Sequence, residues 1–384
     1  MPQQIRRRID KLSLQIFLAL CVIFKLVFKQ RPPNPRAPIL ILADLLLGDL
    51  GIAGHLVLEI RRLYPQNTIV LLCRKSVTSA AELLQPDVLI AGDYLNWNVL
   101  RSLRKNAPHG YSCVVNIFSW KWLPLVAGLR VGPVIGHKDY KGITNIFLSG
   151  TCPFPQTPQT AADITIGLLD QLKSYLHPTS PKGVNCSLQS LPKPNFLPAE
   201  QYVILHIGAR TGTRLWPINL FESVIRNLNA KNANLVITGL HQDLDYLSEI
   251  DRILNKYPAG SSALNLLGRT ALQELLAITQ HAQALISIDT GVIHWARLMG
   301  IPNLSFLGPT DAQIFGARSP LFKNSFEIFV GGLDCRDKQT FQKIPANWIK
   351  NCQRKTCIHS SVECLTRVSE DEVNEKITQL LACK

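Results

Sequence analysis

Residues 284–310, ALISIDTGVIHWARLMGIPNLSFLGPT, constrain this chain more than any other stretch. The run 284–288 is apolar, of strand length and partly β-branched. Asp289-Thr290-Gly291 interrupts it. An amphipathic segment of about three turns follows and stops at Gly300, with Pro302 just beyond, as helices tend to end. A second apolar run, 304–307, closes in the turn Gly308-Pro309-Thr310. The pattern predicts strand, helix and strand, with Asp-Thr-Gly where the first strand meets the helix.

That junction has a chemical use. The first turn of a helix leaves N–H groups unpaired, and the macrodipole favours negative charge there. Gly291 lets a ligand approach the backbone. The Thr290 hydroxyl can donate a hydrogen bond, and His294 lies four residues on, on the same helix face. Together they describe a phosphate site. Asp289 would repel a bare phosphate, so it either caps the helix or accepts from a ligand hydroxyl. The plainer alternative is a capped helix with a packed histidine.

A chain of 384 residues, 46% of them hydrophobic, is long enough for two or three domains and has apolar residues for two cores. The net charge of +14 suits an anionic membrane, a phosphorylated substrate or nucleic acid. The charges are spread out, with no zinc-finger spacing and no basic segment interleaved with aromatics, so nucleic acid is not expected as a partner. The densest basic run, Arg6-Arg7-Arg8 with Lys11, precedes LSLQIFLALCVIFKLVF at 12–28. Its apolar core is shorter than the roughly 20 residues that span a bilayer, and no small-residue cleavage site follows. Leu12, Ile16, Leu20, Ile23 and Val27 fall near helical spacing. The expectation is a helix lying on a membrane surface, which makes the protein cytoplasmic and peripheral on the inner face of the cell membrane. A short signal anchor and a helix packed on the protein's own body are the alternatives.

Ten cysteines are present. Without an export signal, free thiols in a reducing compartment are expected. Cys335, Cys352, Cys357 and Cys364 gather near the C-terminus around His359, but their spacing lacks the tight pairs of common zinc sites. A structural role is favoured over a metal, and no metal ligand is assigned.

In chain order, 30–38 is a proline-rich linker. A strand at 39–42 feeds Gly48-Asp49 and a helix over about 52–63, and the next strand is 68–73. A β-α-β start implies a parallel sheet, whose ligands sit at the carboxyl ends of strands. Strand-like runs follow at 88–91 and 113–117, then a helical segment and a glycine-rich turn between 120 and 136, and a helix over 161–176. Residues 177–200 are rich in proline and serine and read as a connection. The pattern restarts with a strand at 202–207, the polar loop 208–214, Trp216-Pro217 opening a helix, and a strand at 235–238. Thr270–Gln273 and Ser369–Glu372 read as capping boxes, the second starting a closing helix with Val373, Ile377 and Leu380 on one face. The expected divisions are 1–37, a basic apolar segment and linker; 38–176, a first Rossmann-like domain; 177–200, the connection; 201–330, a second Rossmann-like domain; and 331–384, a cysteine-containing tail with the closing helix.

Several motifs now stand in order: Gly48-Asp49, Gly208-Ala209, Arg214-Leu215-Trp216-Pro217, Gly268-x-Thr270-x-Leu272, Asp289-Thr290-Gly291-x-x-His294-x-Ala296 and Gly308-Pro309-Thr310. This series resembles glycosyltransferase family 9, the heptosyltransferase-like enzymes of lipopolysaccharide biosynthesis, over roughly residues 38–330. The resemblance implies an α/β GT-B fold, two doubly wound Rossmann-like domains facing across a cleft. It implies inverting transfer of heptose or a related sugar from a nucleotide-diphosphate-sugar (ADP-heptose-like) to a lipid-linked surface glycan, with no cofactor and no essential metal. Asp49 matches the family's proposed base. Arg214 stands where members carry a phosphate-contacting lysine, keeping the charge and adding a fork. Donor contacts carry over to Gly208, Asp289, Thr290, Gly291 and His294, with Arg210 in the same loop and Asp243 as the nearest match to a ribose-binding acid. Two departures are Ala43, where members often carry a basic residue, and Arg210, where some have a hydroxyl. They keep open a non-catalytic nucleotide-sugar-binding protein of glycan assembly.

Overall fold

The computed structural model describes residues 3–27, 34–93, 96–139, 142–180, 182–208, 212–240, 247–256 and 263–383. The chain forms two compact units. The first comprises Met1–Pro155, Ile164–Gln189 and Gln342–Ile344; the second comprises Gln156–Asp163, Ser190–Phe341 and Pro345–Lys384.

The first unit is built on β1 (Ile39–Ala43), β2 (Ile69–Cys73), β3 (Val88–Ala91), β4 (Cys113–Asn116), β5 (Val134–His137) and β6 (Gly150–Cys152). They form one parallel sheet in the order β3-β2-β1-β4-β5-β6, with Ile39 paired to Ile69 and Leu40 to Val114. Every residue of β1, β2 and β4 is buried, because helices cover both faces, and this is why these strands read as unbroken apolar runs. The helices are α1 (Gln3–Val27), α2 (Leu47–Leu63), α3 (Thr78–Glu82), α4 (Trp97–Asn106), α5 (Ala161–Ile166) and α6 (Leu168–Tyr175); α5 crosses from the second unit into the first. The helix expected over 161–176 is thus two, parted at Gly167, a poor helix former. The segment after Trp120 is a 3-10 helix, Trp120–Gly128, and the expected glycine-rich turn instead leads into β5. A Cβ at Gly136 would lie 3.0 Å from the Asn116 carbonyl oxygen, so β5 needs glycine to approach β4.

Helix α1 packs on the body of this unit. Leu14 and Leu18 are buried in its core. The Trp97 indole N–H donates to Ser13 Oγ at 3.0 Å, and Phe17 packs on the Trp97 ring with centroids 5.0 Å apart. Each leucine contributes about 2 kcal/mol of apolar burial. Leu12, Ile16 and Leu20, spaced four apart, remain exposed. Among the described residues no helix is long and apolar enough to cross a membrane.

The second unit repeats the plan with β7 (Tyr202–His206), β8 (Asn234–Thr238), β9 (Ala263–Asn265), β10 (Ala284–Ile288), β11 (Asn303–Leu307) and β12 (Ser325–Phe329). Their order is β12-β11-β10-β7-β8-β9, the same winding as the first sheet once counted from its own first strand. Its helices are α7 (Ile218–Ala230), α8 (Leu247–Lys256), α9 (Leu272–Gln280), α10 (Gly291–Met299), α11 (Ala312–Phe315), α12 (Glu363–Thr366) and α13 (Glu370–Leu381). Helix α10 stops at Gly300 in the left-handed conformation, φ 72°, which glycine adopts without strain. Ser369 caps α13 by accepting from the Glu372 amide, as its capping box predicts, and Val373, Ile377 and Leu380 enter the core. The box expected at Thr270 is shifted by one residue. Ala271 is the N-cap of α9, and only the Glu274 half exists, with Oε2 accepting from the Ala271 amide at 2.8 Å.

Candidate active site

In open doubly wound sheets, ligands bind outside the carboxyl ends of the strands where the winding reverses. In the second unit that point lies between β7 and β10. Gly208 follows β7 and is buried; Asp289, Thr290 and Gly291 follow β10. The sequence-derived residues of this half therefore converge on one edge. Arg210 and Asp243 lie outside the described residues.

Asp289 is the centre. It is buried, with Oδ1 3.5 Å from His294 Nε2 and Oδ2 3.8 Å from Arg214 Nη1. The same Nη1 donates to the Asp289 carbonyl oxygen at 3.4 Å. Burial alone would raise the pKa of this carboxyl, but the His294 hydrogen bond and the Arg214 charge outweigh it and hold the group well below the usual carboxylate range. Asp289 does not cap α10. The N-cap is Thr290, whose side chain makes no cap bond and instead shares a hydrogen bond with Ser287 Oγ at 3.0 Å. The carboxylate thus orients a cation and an imidazole.

The first turn of α10 begins at Gly291, and among the described residues no side chain caps it. Arg214 closes a short 3-10 turn, Gly212–Arg214, and stays about one-third exposed. His294 is buried against the Phe315 ring, and among the described residues its Nδ1 has no hydrogen-bond partner. A partly exposed guanidinium and a helix N-terminus that no side chain caps among the described residues together suit a ligand with anionic oxygens.

Sequence reasoning missed two further groups. His206, the last residue of β7, is buried, with Nδ1 3.0 Å from Thr238 Oγ1 at the end of β8; burial pulls its pKa down to about 4. A histidine two residues before Gly208 at a strand end is the signal that was there to find. Arg336 is buried in the C-terminal tail, donates from Nε and Nη2 to the Gly308 carbonyl at 3.1 and 2.6 Å, and so clamps the Gly-Pro-Thr turn. The tail also holds the 3-10 turn, because Thr213 Oγ1 donates to the Arg354 carbonyl at 3.1 Å. Cys335, Cys352, Cys357 and Cys364 line one small cavity beside these bonds. Among the described residues, no group of three or more His, Cys, Asp or Glu is arranged to hold a metal.

In the first unit, Asp49 lies in the first turn of α2, partly buried, just beyond the end of β1. The N-cap of α2 is Leu46, so Asp49 is inside the helix rather than capping it. Ala43 closes β1 without charge. Positive charge at this strand end comes instead from Arg74 and Lys121, both paired with Asp44.

Two doubly wound six-stranded parallel sheets, each with its helices, define the GT-B fold class. A model of glycosyltransferase family 9 (heptosyltransferase) matches residues 134–348, more than half of the chain, and the chain belongs to that family. Lipopolysaccharide heptosyltransferase 3 of Escherichia coli is 30% identical over 143 residues, 37% of this chain and 39% of that relative. Its namesake from strain K12 is 23% identical over 261 residues, 65% of this chain and 70% of that relative. Among solved structures, ADP-heptose lipopolysaccharide heptosyltransferase II of E. coli shares the fold with a TM-score of 0.62 at 17% identity, over 90% of this chain and 98% of that one.

Proposed function

We propose that this chain transfers heptose or a related sugar, with inversion, from an ADP-heptose-like nucleotide-diphosphate-sugar to a lipid-linked lipopolysaccharide or other surface-glycan acceptor. The observation that carries the reading is the Arg214–Asp289–His294 constellation at the N-terminus of α10. Departure of a nucleoside diphosphate develops charge on its phosphate oxygens, and preorganised donors aimed at that charge lower the barrier. Arg214 and the first-turn N–H groups of α10 supply such donors without a metal ion. Thr290, at the N-cap of α10, binds a donor hydroxyl or phosphate oxygen, and His294 keeps Asp289 oriented. Asp49 is the base that takes the acceptor hydroxyl proton. The exposed stripe Leu12, Ile16 and Leu20 beside Lys11 rests on the cytoplasmic face of the membrane, near a lipid-linked acceptor.

The test is product formation from ADP-heptose and a heptose-accepting core lipopolysaccharide, with the anomeric configuration read by NMR. Asp49→Asn is expected to lower kcat by 10²-fold or more, in the range of general-base catalysis, while ADP-heptose still raises the melting temperature. A folded Asp49→Asn protein with unchanged kcat overturns the base assignment.

A further inference from the structure

The first unit carries a charged constellation that the donor site does not use. Asp44 follows β1 and is 9% exposed. Its Oδ1 accepts from Arg74 Nε at 2.7 Å and its Oδ2 from Lys121 Nζ at 2.6 Å. Its amide donates to Ser119 Oγ at 2.6 Å, and that hydroxyl donates to the Ile117 carbonyl at 2.8 Å. Arg74 follows β2 and Lys121 follows β4, with β1 between these strands. The three residues therefore meet where the winding of this sheet reverses, the place where such sheets take ligands.

The stoichiometry is informative. A buried carboxylate needs a partner, because an unpaired buried charge is costly. One cation would neutralise Asp44, and it has two. Both reach solvent, their side chains 35% and 47% exposed for Arg74 and Lys121. Both keep donors in reserve. Lys121 has three N–H groups and spends them on Asp44 and on the Asp93 carbonyl at 3.1 Å, leaving one. Arg74 turns Nε and Nη2 toward Asp44, and among the described residues Nη1 has no partner. The result is two cations oriented by one carboxylate, with a guanidinium edge and an ammonium that reach solvent. A planar fork and a point charge side by side suit anionic oxygens. Asp49 leaves the same strand end five residues after Asp44.

We propose that Arg74 and Lys121 bind an anionic substituent, phosphate or carboxylate, on the acceptor glycan, and that Asp44 is the positioning residue that orients both. The proposal rests on the glycosyl-transfer reading for the identity of the ligand as an acceptor. It adds what that reading lacks, a chemical feature by which the acceptor is selected.

The experiment measures binding by calorimetry to the full chain, using core oligosaccharide released from lipopolysaccharide, the same material after phosphatase treatment, and the same material after carboxyl reduction. The wild type is expected to prefer the intact form by about tenfold or more over whichever treated form has lost the recognised anion. Arg74→Gln and Lys121→Gln abolish that preference and leave ADP-heptose affinity unchanged. Asp44→Asn raises KM for the intact acceptor while kcat is kept, which a purely structural role would not produce. Circular dichroism establishes that each variant is folded, and Lys121→Ala replaces any glutamine variant that is not. Equal affinity of the wild type for intact and both treated forms overturns the proposal, as does an unchanged preference in both cation variants. A wild type that discriminates among the oligosaccharides but forms no product with ADP-heptose would overturn the transfer reading and leave this anion site standing.

Discussion

His206 allows a quantitative test of how the candidate donor edge is built. Burial lowers its pKa from 6.5 to about 4, so the imidazole stays neutral where an exposed one would be protonated. Between those two values the unfolded chain binds a proton that the folded chain refuses. Stability is therefore fully present above about pH 6.5 and is lost as pH falls toward 4. A depression of roughly 2.5 units corresponds to about 3 kcal/mol, most of it gone by pH 4.5. The loss belongs to β7 and β8, because the imidazole is tied to Thr238 across that pair. Hydrogen exchange of amides in these two strands, at pH 7 and pH 4.5 and corrected for intrinsic rates, reads it directly. His206→Gln provides the control, since its amide can still pair with Thr238 but does not titrate. The wild type should lose about 2–3 kcal/mol of protection more than His206→Gln over this interval. Equal losses in the two proteins would refute the argument that burial holds this histidine neutral.

Two further outcomes follow from the same geometry. Arg214→Ala should lower kcat by roughly 10²- to 10³-fold, as removal of one preorganised donor does, with Arg214→Lys recovering part of it; steady-state kinetics with a varied ADP-heptose concentration measures this. Leu14→Ala should destabilise the first unit by about 2–5 kcal/mol through the cavity it leaves, whereas Ile16→Ala, on the exposed side of α1, should stay within about 0.5 kcal/mol; urea unfolding followed by circular dichroism separates the two.

The strands that were legible in the sequence are the apolar runs: β1, β2, β3, β4, β7, β8, β10 and β11 are apolar along most or all of their length, and all of them but the half-buried β3 are buried along most or all of it. β5, β6 and β9 escaped because three or four residues, two with glycine among them, carry too little pattern. β12 escaped because it pairs only with β11 at a sheet edge and is mostly half-buried. Asp-Thr-Gly with His294 was legible because a strand end, a helix start and a histidine one turn on are all local. The Arg214–Asp289 pair was not, since 75 residues separate its members and only the β7–β10 pairing brings them together. Resemblance supplied that link, where periodicity could not. For α1, the spacing of Leu12, Ile16 and Leu20 was visible, but the side that Leu14 and Leu18 bury was not, because a helix apolar on most sides does not reveal which face packs.

The two units share more than strand order. In each, an aspartate just beyond a central strand is buried, Asp44 after β1 and Asp289 after β10, and each is flanked by basic side chains, Arg74 and Lys121 in one case, Arg214 and His294 in the other. A buried carboxylate adds little net stability, since desolvation offsets most of the pairing energy. Its effect is on freedom. Arginine and lysine side chains each lose up to about 2 kcal/mol of rotamer entropy when they are ordered. A ligand that ordered them itself would bind more weakly by that amount. An aspartate already holding them in place removes that cost from the binding step, which is what preorganisation means for an anion site. On this argument Asp289 and Asp44 act through the cations beside them, and replacing either with asparagine should weaken the ligand of its own unit while leaving that of the other unchanged.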